Sequence, residues 1–135
     1  MSRIGEEIAA RAQALVGVRF RAQGRDPAHG LDCAGTAAAA AGVAVERVRR
    51  GYAIRGGSLA QIEHDLCELG CRPVAGVAEP GDVMVCEAGP KQFHLVVVTH
   101  RAFVHADARL RMVVERPFPT PWPVLGVWRA GWEEE

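Results

Sequence analysis

Apolar residues Ile4, Ile8, Ala12 and Leu15 recur three to four positions apart, with Val16 beside them. That period predicts an amphipathic helix over residues 2–16, stopped at Gly17, with its stripe turned to the core. Residues 17–31 read as a loop with one extended piece, Val18-Arg19-Phe20-Arg21, and turn signals at Gly24, Asp26-Pro27 and Gly30. From Cys33 to about Ala41 nearly every side chain is small, and the alanines predict a short helix able to lie close to a neighbour, ending at Gly42. Residues 43–57 carry no clear period; Arg47, Arg49, Arg50 and Arg55 cluster around Tyr52 and read as a solvated face. At Ser58 the pattern sharpens again. Ser58 with Gln61 forms a capping box, Leu59, Ile62, Leu66 and Leu69 form a stripe, and Gly70 fits the C-terminal cap.

Beyond Gly70 the period changes from helical to extended. Glu79-Pro80-Gly81-Asp82 is a turn, and Val83–Cys86, His94–Val98, Phe103–Ala106 and Leu110–Glu115 follow as strands with turns at Gly89-Pro90 and Arg101-Ala102. Four prolines between Pro117 and Pro123, set among Phe118 and Trp122, exclude regular structure there. Val124–Trp128 reads as the last strand. Helices first and an antiparallel meander after define an α+β class, with the N-terminal helices packed on the sheet.

The chain has 135 residues, which is expected to make a single domain spanning 1–135. Lys plus Arg equals Asp plus Glu at 16 each, so the charge balance argues against a general nucleic-acid binder. No run of 18 apolar residues occurs, so no membrane insertion is expected. Met1 to Glu7 is charged and lacks a signal peptide's apolar centre, which predicts synthesis in the cytoplasm. In that compartment the four cysteines, Cys33, Cys67, Cys71 and Cys86, are expected to stay unbridged. Cys67 and Cys71 lack the second pair that a metal site would need, so those two and Cys86 are read as structural, with no metal or cofactor.

The stretch Gly30-Leu31-Asp32-Cys33-Ala34-Gly35 carries the candidate chemistry. Asp32 is a good N-cap, which places Cys33 in a first turn where free amides and the helix dipole favour an anion. A thiol there is expected to have a depressed pKa and act as a nucleophile; a buried cysteine packed as a small hydrophobe is the bland alternative. His29, four residues earlier, reads as an exposed loop histidine. His94 opens one strand and His105 closes the next, eleven residues on, and antiparallel neighbours bring such positions together. One imidazole would take the thiol proton while the other orients it.

Asp32-Cys33-Ala34-Gly35 resembles the Asp-Cys-x-Gly signature of the NlpC-type cysteine peptidases, bacterial and phage enzymes that cut peptidoglycan stem peptides. Gly17-Val18-Arg19-Phe20 resembles that family's approach to the cysteine, Pro80-Gly81-Asp82-Val83 its turn into a strand, and the His94 and His105 strands its histidine strands. The resemblance implies a papain-like core, a Cys33–His94–His105 triad, acyl transfer from an amide, and a stem peptide as substrate. It also implies an oxyanion held by the Cys33 amide. Two positions depart from the pattern: Phe20 stands where a tyrosine is common, and Ala34 where a serine is common. With Asp32 they lie in the expected substrate and oxyanion vicinity. Small size and the missing export signal resemble peptidases carried in phage tails, with other tail proteins as partners and a place in the virion. Two other readings are a structural tail-tip protein that keeps the fold, and an intracellular thiol amidase or acyltransferase acting on another substrate.

Overall fold

A computed structural model describes residues 3–43 and 58–131; the arginine cluster around Tyr52 lies outside them. Helix α1 spans Arg3–Ala14 and buries Ile8, Ala9 and Ala12. It stops two residues short of the expected end, and the turn that follows leaves Val16 45% exposed instead of on the stripe. A two-residue ribbon, β1 (Arg25–Asp26) with β2 (Gly30–Leu31), closes the following loop. The cysteine helix α2 spans Cys33–Ala40, and all of it except Ala39 is buried. Its C-terminal end is tied to α1, because Arg11 Nε donates to the Ala40 carbonyl at 2.7 Å. Helix α3 spans Leu59–Glu68, capped by Ser58, whose hydroxyl accepts from the Gln61 amide at 3.3 Å. Only half of the expected capping box forms: the Gln61 side chain donates forward to Asp65 at 3.0 Å rather than back to residue 58.

Six strands make the main sheet: β3 (Cys71–Val74), β4 (Val83–Gly89), β5 (Gln92–Val98), β6 (Ala102–Asp107), β7 (Met112–Pro117) and β8 (Val124–Ala130). Their order is β3-β8-β4-β5-β6-β7, with every neighbouring pair antiparallel. The meander runs from β4 to β7 as the extended runs and their turns predict. The last strand then leaves it and returns beside β4, so β8 is interior. Strand β3 is absent from the sequence reading because it is short and contains Pro73; it sits at the sheet edge, where a missing N–H is tolerated. Strand β7 begins two residues later than expected, since Leu110 lies in the turn after β6 and is 59% exposed.

The sheet's two faces have different partners. Val85, Leu95, Val97, Val104, Ala106 and Val113 pack with Ile8, Ala12, Ala34, Ala37, Ile62 and Leu66 from the helices. On the other face Cys86, Val96 and Phe103 are covered by Met84, Phe118 and Trp122, the last two from the proline-rich stretch. The free edge of β7 is closed by the loop after α1: Gly17 donates to the Val113 carbonyl and Val113 donates to the Val18 carbonyl, each at 2.8 Å. The turn before β4 is held from inside, because the buried Asp82 carboxylate accepts two bonds from Arg129 at 2.9 Å and one from the Glu79 amide at 2.8 Å.

Candidate active site

Asp32 caps α2 in extended conformation, with φ −101° and ψ −168°, and its Oδ1 accepts from the Gly35 amide at 2.9 Å. The expected local geometry is therefore present: Cys33 is the first helical residue. Two glycines make the approach possible. A Cβ on Gly35 would overlap the Gly24 carbonyl oxygen, so the loop and the first turn of α2 touch backbone to backbone. The same loop carries Arg25, which the sequence reading assigned no role. Its Nη1 donates to Asp32 Oδ1 at 2.6 Å, with side-chain exposures of 0% and 8%. The Gln23 amide donates to the other carboxylate oxygen at 3.0 Å. The signal in the sequence was a lone arginine between Gly24 and Asp32 in a loop too glycine-rich to shield it by its own bulk.

Helix α2 packs on β5 and β6, and there the ladder between those strands stops. Their recorded partners are Val97 with Val104 and Val98 with Phe103. Continuing that register sets Val96, not His94, opposite His105. The two imidazoles therefore meet on a diagonal, and His94 Nε2 lies 2.8 Å from His105 Nδ1. Trp122 closes over both, edge to face, with ring centroids 4.8 Å from His94 and 5.3 Å from His105. The sequence placed Trp122 in an irregular stretch but gave no reason to bring it to the histidines. Cys33, His94, His105, Asp32, Phe20 and Trp122 all line one cleft of about 800 Å3, which Asp107 also borders. Ala34 is buried in the helix-side core, and His29 is exposed beside Asp26.

The histidine contact restricts the tautomers. His94 Nε2 is engaged with His105, so only His94 Nδ1 is left to accept a proton. For that, neutral His94 must carry its hydrogen on Nε2 and donate it to His105 Nδ1. His105 then holds its own hydrogen on Nε2, an atom buried without a hydrogen-bond partner among the described residues. An orphaned buried polar atom costs roughly 1–3 kcal/mol whether it is a donor or an acceptor, so His105 Nε2 carries that cost in either tautomer of the pair.

Electrostatics overturn one expectation. Burial pushes the Cys33 thiol up to about 12, and the adjacent Asp32 carboxylate adds to the rise; Arg25 and backbone bonds from Leu95 and Ala34 oppose it without cancelling it. The first-turn position does favour the thiolate, but desolvation of a 4% exposed side chain outweighs it. Burial lowers His94 to about 4, helped by His105 and opposed by Asp107. His105 is lowered as well, chiefly by burial. Asp107 is depressed: burial would raise it, but the amides of Leu110 and Arg109 bind its carboxylate. Cys33 and His94 are thus both neutral near pH 7. All four cysteines are unbridged, with Cys67 exposed and Cys71 and Cys86 buried.

A cysteine at a helix start, packed on an antiparallel sheet that presents a histidine pair, defines an α+β fold of the papain-like, NlpC type. The solved structures agree. NlpC1 from Trichomonas vaginalis superposes with a TM-score of 0.68 at 18% identity, over 93% of this chain and 43% of that one. NlpC2 from the same organism gives 0.69 at 17% identity, over 96% and 48%. The chain thus spans less than half the length of either structure, and at these identities the likeness is one of fold. No protein-family model and no curated protein sequence matches the chain.

Proposed function

We propose that this chain is a cysteine hydrolase that cleaves an amide bond in cell-wall stem peptides. The observation that carries the reading is the 2.8 Å contact between His94 and His105 in the cleft that Cys33 lines. In the reaction, Cys33 sulfur bonds to the amide carbonyl as its proton passes to His94 Nδ1. The C–N bond then breaks, and His94 returns that proton to the leaving amine. Water, losing a proton to His94, attacks the thioester carbonyl; the C–S bond breaks, the acid leaves, and His94 returns the proton to the Cys33 sulfur. His105 accepts from His94 Nε2 throughout and positions it. The Cys33 amide at the start of α2 serves the oxyanion; Phe20 brings no hydroxyl to that task, and Ala34 brings none to the substrate. Since both partners start neutral, proton transfer and sulfur attack must run together, with no thiolate waiting in the free protein. A phage-tail setting, with other tail proteins as partners, belongs to this proposal as its context.

The test is digestion of purified peptidoglycan, with the soluble fragments and newly exposed amines identified by mass spectrometry. Wild type should release stem-peptide fragments, and Cys33→Ala should release none while melting at the wild-type temperature. Release by Cys33→Ala would overturn the mechanism. The raised Cys33 thiol and the missing Phe20 hydroxyl favour a second reading, a structural tail-tip protein with little catalysis; an inactive, well-folded wild type would favour it. Turnover of simple amides or thioesters with intact wall peptides left uncut would point to a thiol amidase or acyltransferase on another substrate.

A further inference from the structure

Asp32 is an uneconomical choice of cap for a cysteine helix. Serine or asparagine would accept from the Gly35 amide equally well without a charge. A carboxylate one residue from the nucleophile opposes the negative charge that must develop on sulfur. Yet the carboxylate is present, 6% exposed, and a fully buried guanidinium lies on it at 2.6 Å. That guanidinium is fixed in turn, since Arg25 Nη1 also donates to the Gly24 carbonyl at 3.1 Å and Arg25 pairs with Leu31 in the ribbon.

We propose that Arg25 is a positioning residue for the Cys33 nucleophile: its buried guanidinium partly offsets the charge of the capping Asp32 carboxylate and so weakens that carboxylate's opposition to a thiolate. The proposal rests on Cys33 being the nucleophile, but on no particular substrate. The other charged or titratable groups that border the cleft are His94 from β5, His105 and Asp107 from β6, Arg109 from the turn after β6, and Arg116 from β7; none of the five lies on the loop that carries Arg25. The direction of each effect agrees with the geometry, Asp32 raising the thiol and Arg25 lowering it.

The experiment measures the rate of iodoacetamide labelling at Cys33, read on its own peptide by mass spectrometry at pH 8, with a melting curve for every variant. Arg25→Met leaves Asp32 uncompensated and should slow labelling roughly three- to tenfold, the effect of about one pH unit on the thiol. Asp32→Asn leaves Arg25 uncompensated and should speed it by a similar factor. The double variant should return to within about twofold of wild type, and Arg25→Lys should stay near wild type. A purely structural role predicts no such ordering by charge. Single variants that shift in the same direction, or a folded Arg25→Met labelled at the wild-type rate, would overturn the proposal. Should Arg25→Met not fold, Asp32→Asn against the double variant decides: equal rates refute the proposal, and a slower double supports it. The readout needs no wall substrate, so it stands apart from the digestion assay.

Discussion

A cysteine and a base that are both neutral at rest leave a signature in the pH dependence of alkylation. With the thiol near 12, the thiolate fraction rises tenfold per pH unit through the whole accessible range. At pH 7 it is about 10⁻⁵, against roughly 3% for an ordinary cysteine near 8.5, a deficit of about three thousandfold. A thiolate of higher pKa is intrinsically more nucleophilic, and a Brønsted slope of about 0.45 over this gap returns some fortyfold. Cys33 should therefore react about a hundredfold more slowly than a free cysteine at pH 7, and limited access through the cleft can only slow it further. The assay is iodoacetamide labelling of the free protein from pH 6 to 10, quantified at Cys33. A straight rise with no plateau below pH 9 is expected, and His94→Ala should change the rate by less than about threefold, because no imidazolium holds a thiolate in place. A plateau below pH 8.5 that disappears in His94→Ala would refute the reasoning. It would mean that first-turn amides and His94 overcome desolvation, which is the arrangement the sequence motif alone suggests.

Three further outcomes follow from the same geometry. His94 is neutral when folded down to about pH 4 but takes a proton near 6.5 when unfolded, so stability should fall by roughly 3 kcal/mol between those values. At the other end, burial raises Cys33 to about 12 and Cys71 and Cys86 to about 11, so the unfolded chain loses thiol protons first and stability should drop above about pH 9. Urea titrations from pH 4 to 11 should show this dome, and a flat profile would contradict the burial of these groups. Gly35→Ala drives a methyl into the Gly24 carbonyl, and overpacking of this kind costs about 3 kcal/mol, or roughly 10 °C in melting temperature; a shift under 2 °C would show that the loop gives way freely. His105→Phe removes the acceptor for His94 Nε2 without opening a cavity, and any hydrolase activity should fall about a hundredfold or more in kcat with little change in KM.

The parts of the fold legible in the sequence were those written in a period. The stripe of α1 specifies a helix and the face it buries, while the alanines of α2 and the extended runs from β4 to β7 specify the elements. What a period cannot express was missed. Strand β3 holds a proline and is kept by its edge position and by pairing with β8, a contact between residues 71–74 and 127–130 that no local pattern announces. The return of β8 beside β4 depends on the same long-range pairing. Leu110 alternates correctly with its neighbours, but the Asp107 side chain accepts from the Arg109 and Leu110 amides and fixes a turn there instead.

The candidate site divides along the same line. Asp32, Cys33, His94 and His105 were visible because each chemistry needs a residue type at a recognisable place. Arg25 and Trp122 were not, because their contribution exists only after the loop and the proline-rich stretch fold over the cleft. Those two touch the visible residues directly, Arg25 at the Asp32 carboxylate and Trp122 at both imidazoles. The motif read alone gives an activated thiolate, since it shows the helix start and not the desolvation around it. The folded site gives a buried thiol, an imidazole in contact with a second imidazole, and an aromatic wall over the pair. In the proposed mechanism a nucleophile held neutral in this way is protected from oxidants and alkylators until a substrate supplies the carbonyl on which the charge can settle. On the proposed reading Arg25 acts together with the backbone amides near the thiol, since both lower it against burial and Asp32.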